Sequence, residues 1–280
     1  MIWAWSSSSA LACLCCTMAN WSSAARPKRS ARTYSFAKFT LAGIQDMIEA
    51  HNLDAFYGQS HILHSIDFHL AEGESVALLG RNGAGKSTFL KSLIDAGPTV
   101  TGQVNLLGED LHQIQTHKRA QMGMALVPED RRIFPMLTVA QNIEIGGHAA
   151  GKNNPRYTLD DVVEMFPMLK PLLSRLGYQL SGGQQQMLAI ARGIVSHPRL
   201  LMLDEPAEGL APVIVDELAD TVNALRKGGT RGMILTEQNV DFARQTTDRL
   251  YVLDVGSVVF SGTWPEFDAN TDLIDRYLVL

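Results

Sequence analysis

Apolar and polar residues alternate along Ile48–Phe56 and again along Ile62–Leu70, the period-two pattern of half-buried antiparallel strands. Ala71-Glu72-Gly73-Glu74 supplies a turn, and Ser75–Leu79 follows as a short apolar run without alternation. Such a run marks a strand buried on both faces. Runs of the same kind recur at Met124–Val127, Leu200–Leu203, Met233–Thr236 and Leu250–Leu253. Helical patterns lie between them at Lys86–Ile94, Gln184–Ser196, Val213–Arg226 and Val240–Thr246. This alternation predicts an α/β fold with a mostly parallel core sheet covered on both faces, and a smaller antiparallel β layer from the early strand pair. From about Val139 to Leu176 the pattern is helical but broken by Pro155, Pro167 and Pro171. That suits an inserted helical subdomain, bounded at about 139–180.

Composition fixes where this folded part begins. Hydrophobic residues make up 46 % of the chain and charged residues 19 %, enough apolar surface for a sizeable core rather than disorder. No apolar stretch approaches the ~18–20 residues needed to span a bilayer. The formal charge of −5 is unevenly spread, with Arg26, Lys28, Arg29, Arg32 and Lys38 and no acidic residue before Asp46. Residues 46–280 therefore carry about −10, which argues against a nucleic-acid partner, because phosphate contacts need clustered Lys and Arg. Cys13, Cys15 and Cys16 are all the cysteines, so residues 46–280 form no disulfide and offer no thiol chemistry. Residues 1–45 read as a disordered extension, or as a start set upstream of a true first residue at Met47. A targeting peptide is the alternative, but a secretory signal places its positive charge before the apolar patch, and here it follows.

Gly80-Arg81-Asn82-Gly83-Ala84-Gly85-Lys86-Ser87-Thr88 fits G-x-x-x-x-G-K-[ST] directly after a buried strand and at the opening of a helix, the context this phosphate-binding loop requires. Glycines let backbone N–H groups turn towards phosphates, and the helix N-terminus adds a positive dipole end. Lys86 is expected to reach the β- and γ-phosphates and the Ser87 hydroxyl to coordinate Mg²⁺. Leu200–Leu203 then delivers Asp204 and Glu205 to the end of a buried strand. Asp204 is placed to bind the Mg²⁺ through water, and Glu205 to polarise the attacking water as general base.

A third motif narrows the field. Leu180-Ser181-Gly182-Gly183-Gln184 runs into a helix with Gln185 to Arg192 behind it. Its hydroxyl and N–H donors form a second anion site at a helix N-terminus. One chain has no need of two such cradles far apart, so each is expected to close on ATP held by another subunit, head to tail.

Motif order and spacing across about 47–280 resemble ATP-binding cassette (ABC) nucleotide-binding domains, which implies a P-loop NTPase fold, bound ATP and Mg²⁺, and ATPase activity. The resemblance implies that Tyr57 stacks on adenine; packing at a strand edge is the other reading of that aromatic. It also places Glu129 where the Q-loop glutamine stands, Gln238 where the switch histidine stands, and Ala211 where the D-loop aspartate stands. The strings Val127-Pro128-Glu129-Asp130-Arg131-Arg132-Ile133-Phe134, Glu208-Gly209-Leu210-Ala211-Pro212 and Glu237-Gln238-Asn239 resemble the ATPases of branched-chain amino acid importers, LivF type. Glu129 beside the metal adds a negative charge that Mg²⁺, Arg131 or Arg132 must offset.

That resemblance implies a peripheral protein on the cytoplasmic face of a bacterial inner membrane. Its partners there are a second ATPase (LivG type, or another copy of this chain), two membrane permeases and, indirectly, a periplasmic solute-binding protein. Urea and short-amide importers, lipid or lipopolysaccharide exporters and soluble ABC proteins remain alternatives. Phe134, Pro135 and Leu137 are read as an apolar dock for a permease helix, or else as subdomain core. His61, His64 and His69 give no metal-ligand spacing and are read as structural or exposed.

Overall fold

The computed structural model describes residues 46–151, 155–227 and 232–270; the expected extension at 1–45 lies outside them. Strands β1 (Asp46–Tyr57) and β2 (Ser60–Ala71) form the early antiparallel pair. Then come β3 (Ser75–Leu79), α1 (Lys86–Leu93), β4 (Thr99–Leu106), β5 (Glu109–Asp110), α2 (Thr116–Gln121) and β6 (Met124–Val127). The middle of the chain holds α3 (Val139–Gly146), α4 (Leu159–Met165), short 3₁₀ turns and α5 (Gly182–Ile194). The last described part runs β7 (Leu200–Asp204), α6 (Pro212–Lys227), β8 (Gly232–Glu237), α7 (Val240–Thr246), β9 (Arg249–Asp254), β10 (Ser257–Thr263) and α8 (Trp264–Asp268).

Two sheets result. One is antiparallel in the order β2-β1-β4-β5, and the other runs β10-β9-β3-β8-β7-β6. In the second, all neighbours are parallel except β9 and β10, which form an antiparallel edge. Every residue of β3, β7 and β8 is buried, which is why these strands read as continuous apolar runs. Alternate side chains still divide between two cores. Val76 and Leu78 of β3 pack with β1, β2 and α1, whereas Ala77 and Leu79 pack with α5, α6 and the helical middle region.

Strand order decides where the chemistry sits. β8 lies between β3 and β7, with Leu79 opposite Glu237 and Asp204 opposite Thr236. The phosphate loop after β3, the carboxylates after β7 and the turn after β8 therefore meet at one edge, at the carboxyl ends of adjacent parallel strands. Ligands of open α/β sheets bind at such edges.

Candidate active site

Lys86 opens α1 and is only 3 % exposed. Its Nζ donates to Gly80 O at 2.6 Å and Arg81 O at 3.1 Å, and pairs with Glu205 Oε1 at 2.9 Å. Three donors with three acceptors satisfy the ammonium inside the loop. The loop must pass close to the sheet to do this, for a Cβ on Gly80 would collide with Leu253 O. Gly85, with φ +109, holds the left-handed conformation that lets the chain turn into the helix at no steric cost to glycine.

Asp204 ends β7 and is almost fully buried. Its Oδ1 accepts from Ser87 Oγ at 3.0 Å and from Thr236 Oγ1 at 2.7 Å. Burial raises the Asp204 pKa above the ordinary carboxylate value, and the bonds from Thr236 and Ser87 and the charge of Lys91 pull the other way. A buried carboxylate beside a hydroxyl is an oxygen donor set of the kind hard divalent cations take, and a cation there would offset the cost of ionising Asp204. The donors thus fit Mg²⁺, which when bound would polarise phosphate oxygens.

Glu205 follows at φ 44°, a left-handed conformation that costs a non-glycine residue about 1–2 kcal/mol. Its N–H donates to Thr236 O at 3.0 Å and to Thr236 Oγ1 at 3.1 Å, fixing the turn. The carboxylate faces both Lys86 and Gln238, whose Nε2 donates to Glu205 Oε2 at 2.8 Å and to Asn82 Oδ1 at 2.7 Å. Gln238 thereby bridges the phosphate loop and the expected general base.

A cleft of about 340 Å³ opens here, lined by Asn82, Gly83, Gly85, Lys86, Ser87, Thr88, Glu129 and Glu205, with Ile62 at its side. Glu129 so shares the cleft with Ser87 and Glu205. Its charge is not met by either neighbouring arginine: Arg131 donates to Gln186, and Arg132 pairs with Asp130. Glu208 stands near Glu129, its own pKa raised by burial and then by the Glu205 and Glu129 carboxylates. Tyr57 is 42 % exposed at the end of β1, its ring beside Gly97, and is not among the residues lining the cleft.

Ser181 caps α5. Gln184 N donates to Ser181 Oγ and Ser181 N to Gln184 Oε1, at 3.3 and 3.0 Å, a reciprocal capping box. Ser181 and Gly182 are exposed, and none of Ser181–Gln184 lines the cleft of its own chain. Thr236 and Glu237 are the site residues that sequence reading passed over, because both sit in an apolar strand run. An acidic residue closing such a run beside the phosphate loop was the available signal.

Phe134 and Met136 are exposed, at 45 % and 72 %, and Tyr178 joins them through its N–H to Pro135 O at 3.1 Å. Leu137 is half-buried. The apolar patch is therefore surface and not core, with Met136 and Tyr178 added to the expected residues. His61 stacks on Phe56 at 4.3 Å and bonds Asp54, while His69 meets Tyr251. Among the described residues no His/Cys/Asp/Glu group suits a metal on its own, and no helix is long and apolar enough to cross a membrane.

A family model described as ABC transporter matches residues 63–208. The high-affinity branched-chain amino acid transport ATP-binding protein BraG of Pseudomonas aeruginosa is 38 % identical over 232 residues, covering 83 % of this chain and 99 % of that protein. The probable branched-chain amino acid transport ATP-binding protein LivF of Archaeoglobus fulgidus is 35 % identical over 217 residues, 78 % of this chain and 92 % of that one. Among solved structures, the ATP-binding subunit of an ABC transporter superposes with a TM-score of 0.69 at 27 % identity, covering 83 % of this chain and 96 % of the other.

Proposed function

The chain belongs to the ABC transporter family of ATPases, and from that premise we propose that it drives uptake of branched-chain or related amino acids. The observation that carries the site assignment is the convergence of Lys86, Ser87, Asp204, Glu205 and Gln238 within hydrogen-bond distance of one another or of shared partners. In this reading residues 80–88 cradle the phosphates of ATP, Lys86 neutralises them, and Ser87 and Asp204 hold Mg²⁺, with Glu129 at its margin. Glu205 takes the proton of the attacking water, Gln238 orients that carboxylate, and Tyr57 stacks on adenine. Ser181, Gly182, Gly183 and Gln184 close on ATP held by a second subunit, of LivG type or another copy of the chain. The exposed patch of Phe134, Met136 and Tyr178 receives a permease, which keeps the protein peripheral on the cytoplasmic face of the membrane.

Support for amino acid uptake comes from likeness to BraG and LivF along nearly the whole of those proteins. Gln238 donates and accepts hydrogen bonds but cannot carry the positive charge of a histidine. The chain is therefore expected to hydrolyse ATP slowly alone and faster beside a partner that supplies the second half of the sandwich. ATPase assays of the chain alone and with the second ATPase of its transporter test this. Faster turnover in the mixture supports the asymmetric pair; equal turnover counts against it.

A further inference from the structure

Glu237 closes β8 and is 3 % exposed, yet it takes no part in the chemistry assigned above. A residue wanted there only for packing would be apolar, since burying a carboxylate is costly unless it is hydrogen-bonded. Its partners show what it holds. Oε1 accepts from Ala207 N at 2.9 Å, and Oε2 accepts from Gln238 N at 3.1 Å and Asn239 N at 3.2 Å. The two oxygens thus serve two different loops. One loop carries Glu205, two residues before Ala207; the other carries Gln238 itself.

We infer that Glu237 is a positioning residue that clamps the Glu205 loop to the Gln238 loop, holding the Gln238 amide against the Glu205 carboxylate. The inference deepens the proposed function and rests on its assignment of Glu205 as base. The need for a clamp is visible in the geometry. The 205–208 loop leaves the sheet through the positive φ of Glu205, and the 2.8 Å contact from Gln238 Nε2 to Glu205 Oε2 depends on both loops keeping their places. Only a group with two acceptor oxygens fills this role. A glutamine offers one oxygen, and its NH₂ would confront the N–H groups of the other loop.

A double-mutant cycle on the full chain, assayed with its membrane partners, separates this role from simple packing. Glu237→Gln is expected to lower kcat at least about tenfold while KM for ATP stays within about threefold. In a Gln238→Ala background the same change is expected to cost less than about twofold, because the group being positioned is gone. Glu237→Asp keeps the carboxyl group but is too short to reach both loops, and runs through the same cycle should the glutamine variant not fold. Independent, multiplicative losses in the cycle, or unchanged kcat in Glu237→Gln, overturn the inference. Glu205→Gln is assayed alongside: if it hydrolyses ATP at the parent rate the site assignment itself fails. If it is inactive while Glu237→Gln is fully active, only the clamp fails.

Discussion

Lys86 Nζ stands 2.9 Å from Glu205 Oε1, with both side chains more than nine-tenths buried. Removing one member of such a pair leaves an uncompensated buried charge and costs about 3–5 kcal/mol. Lys86→Met is therefore expected to lower unfolding stability by about 3 kcal/mol in addition to weakening ATP binding. Adding Glu205→Gln to it should restore part of that loss. Urea unfolding of the two variants checks this, and a double variant no more stable than Lys86→Met alone contradicts it.

Glu205→Gln by itself keeps the size of the side chain and removes the proton acceptor. Turnover should fall by about 10²–10⁴, ATP binding should persist, and the ATP-bound chain should accumulate as a closed pair. Size-exclusion chromatography with ATP, beside a nucleotide-binding titration, reads both effects.

Ser181 gives α5 its cap and, in the proposed sandwich, donates to a neighbour's ATP. Ser181→Ala should cost about 1 kcal/mol of stability and leave ATP affinity of the unpaired chain unchanged, because no signature residue lines its own cleft. Turnover of the assembled pair should drop at the same time. A parallel loss of ATP affinity in the unpaired chain would place the signature in the wrong subunit.

Burial raises the Glu237 pKa from 4.5 to about 7, more than its three backbone N–H donors lower it. Between those values the folded chain keeps a proton that the unfolded chain has released, so stability falls as pH rises through the window and levels off above it. Glutamine does not titrate. The unfolding free energy of Glu237→Gln relative to the parent should therefore shift in the variant's favour from about pH 5 to about pH 8. Unfolding curves at the two pH values measure that difference, and a constant difference contradicts the assignment.

The sequence was most legible where one physical signal dominated. Buried strands such as Ser75–Leu79 and Leu200–Asp204 appear as apolar runs, and residues 80–88 as a glycine pattern in the right context. The elements it concealed are those with mixed signals. β4 is largely exposed and carries Gly102 at φ +91, and β10 is half-buried along most of its length at a sheet edge. α2 and α8 have six and five residues, too few for a helical period. At the site, Lys86, Ser87, Asp204 and Glu205 were found by motif, and the structure brings them together. The roles of Thr236 and Glu237 depend on β8 lying between β3 and β7, a fact of strand order that no local pattern contains.

The central claim is that ATP hydrolysis at Glu205 drives amino acid uptake. It is tested most directly by uptake of radiolabelled leucine into vesicles holding the chain with its permeases, second ATPase and solute-binding protein. The account predicts ATP-dependent leucine uptake that Glu205→Gln abolishes and that excess urea does not compete. Uptake unaffected by Glu205→Gln, or ATP-dependent transport of urea and not of leucine, would contradict it.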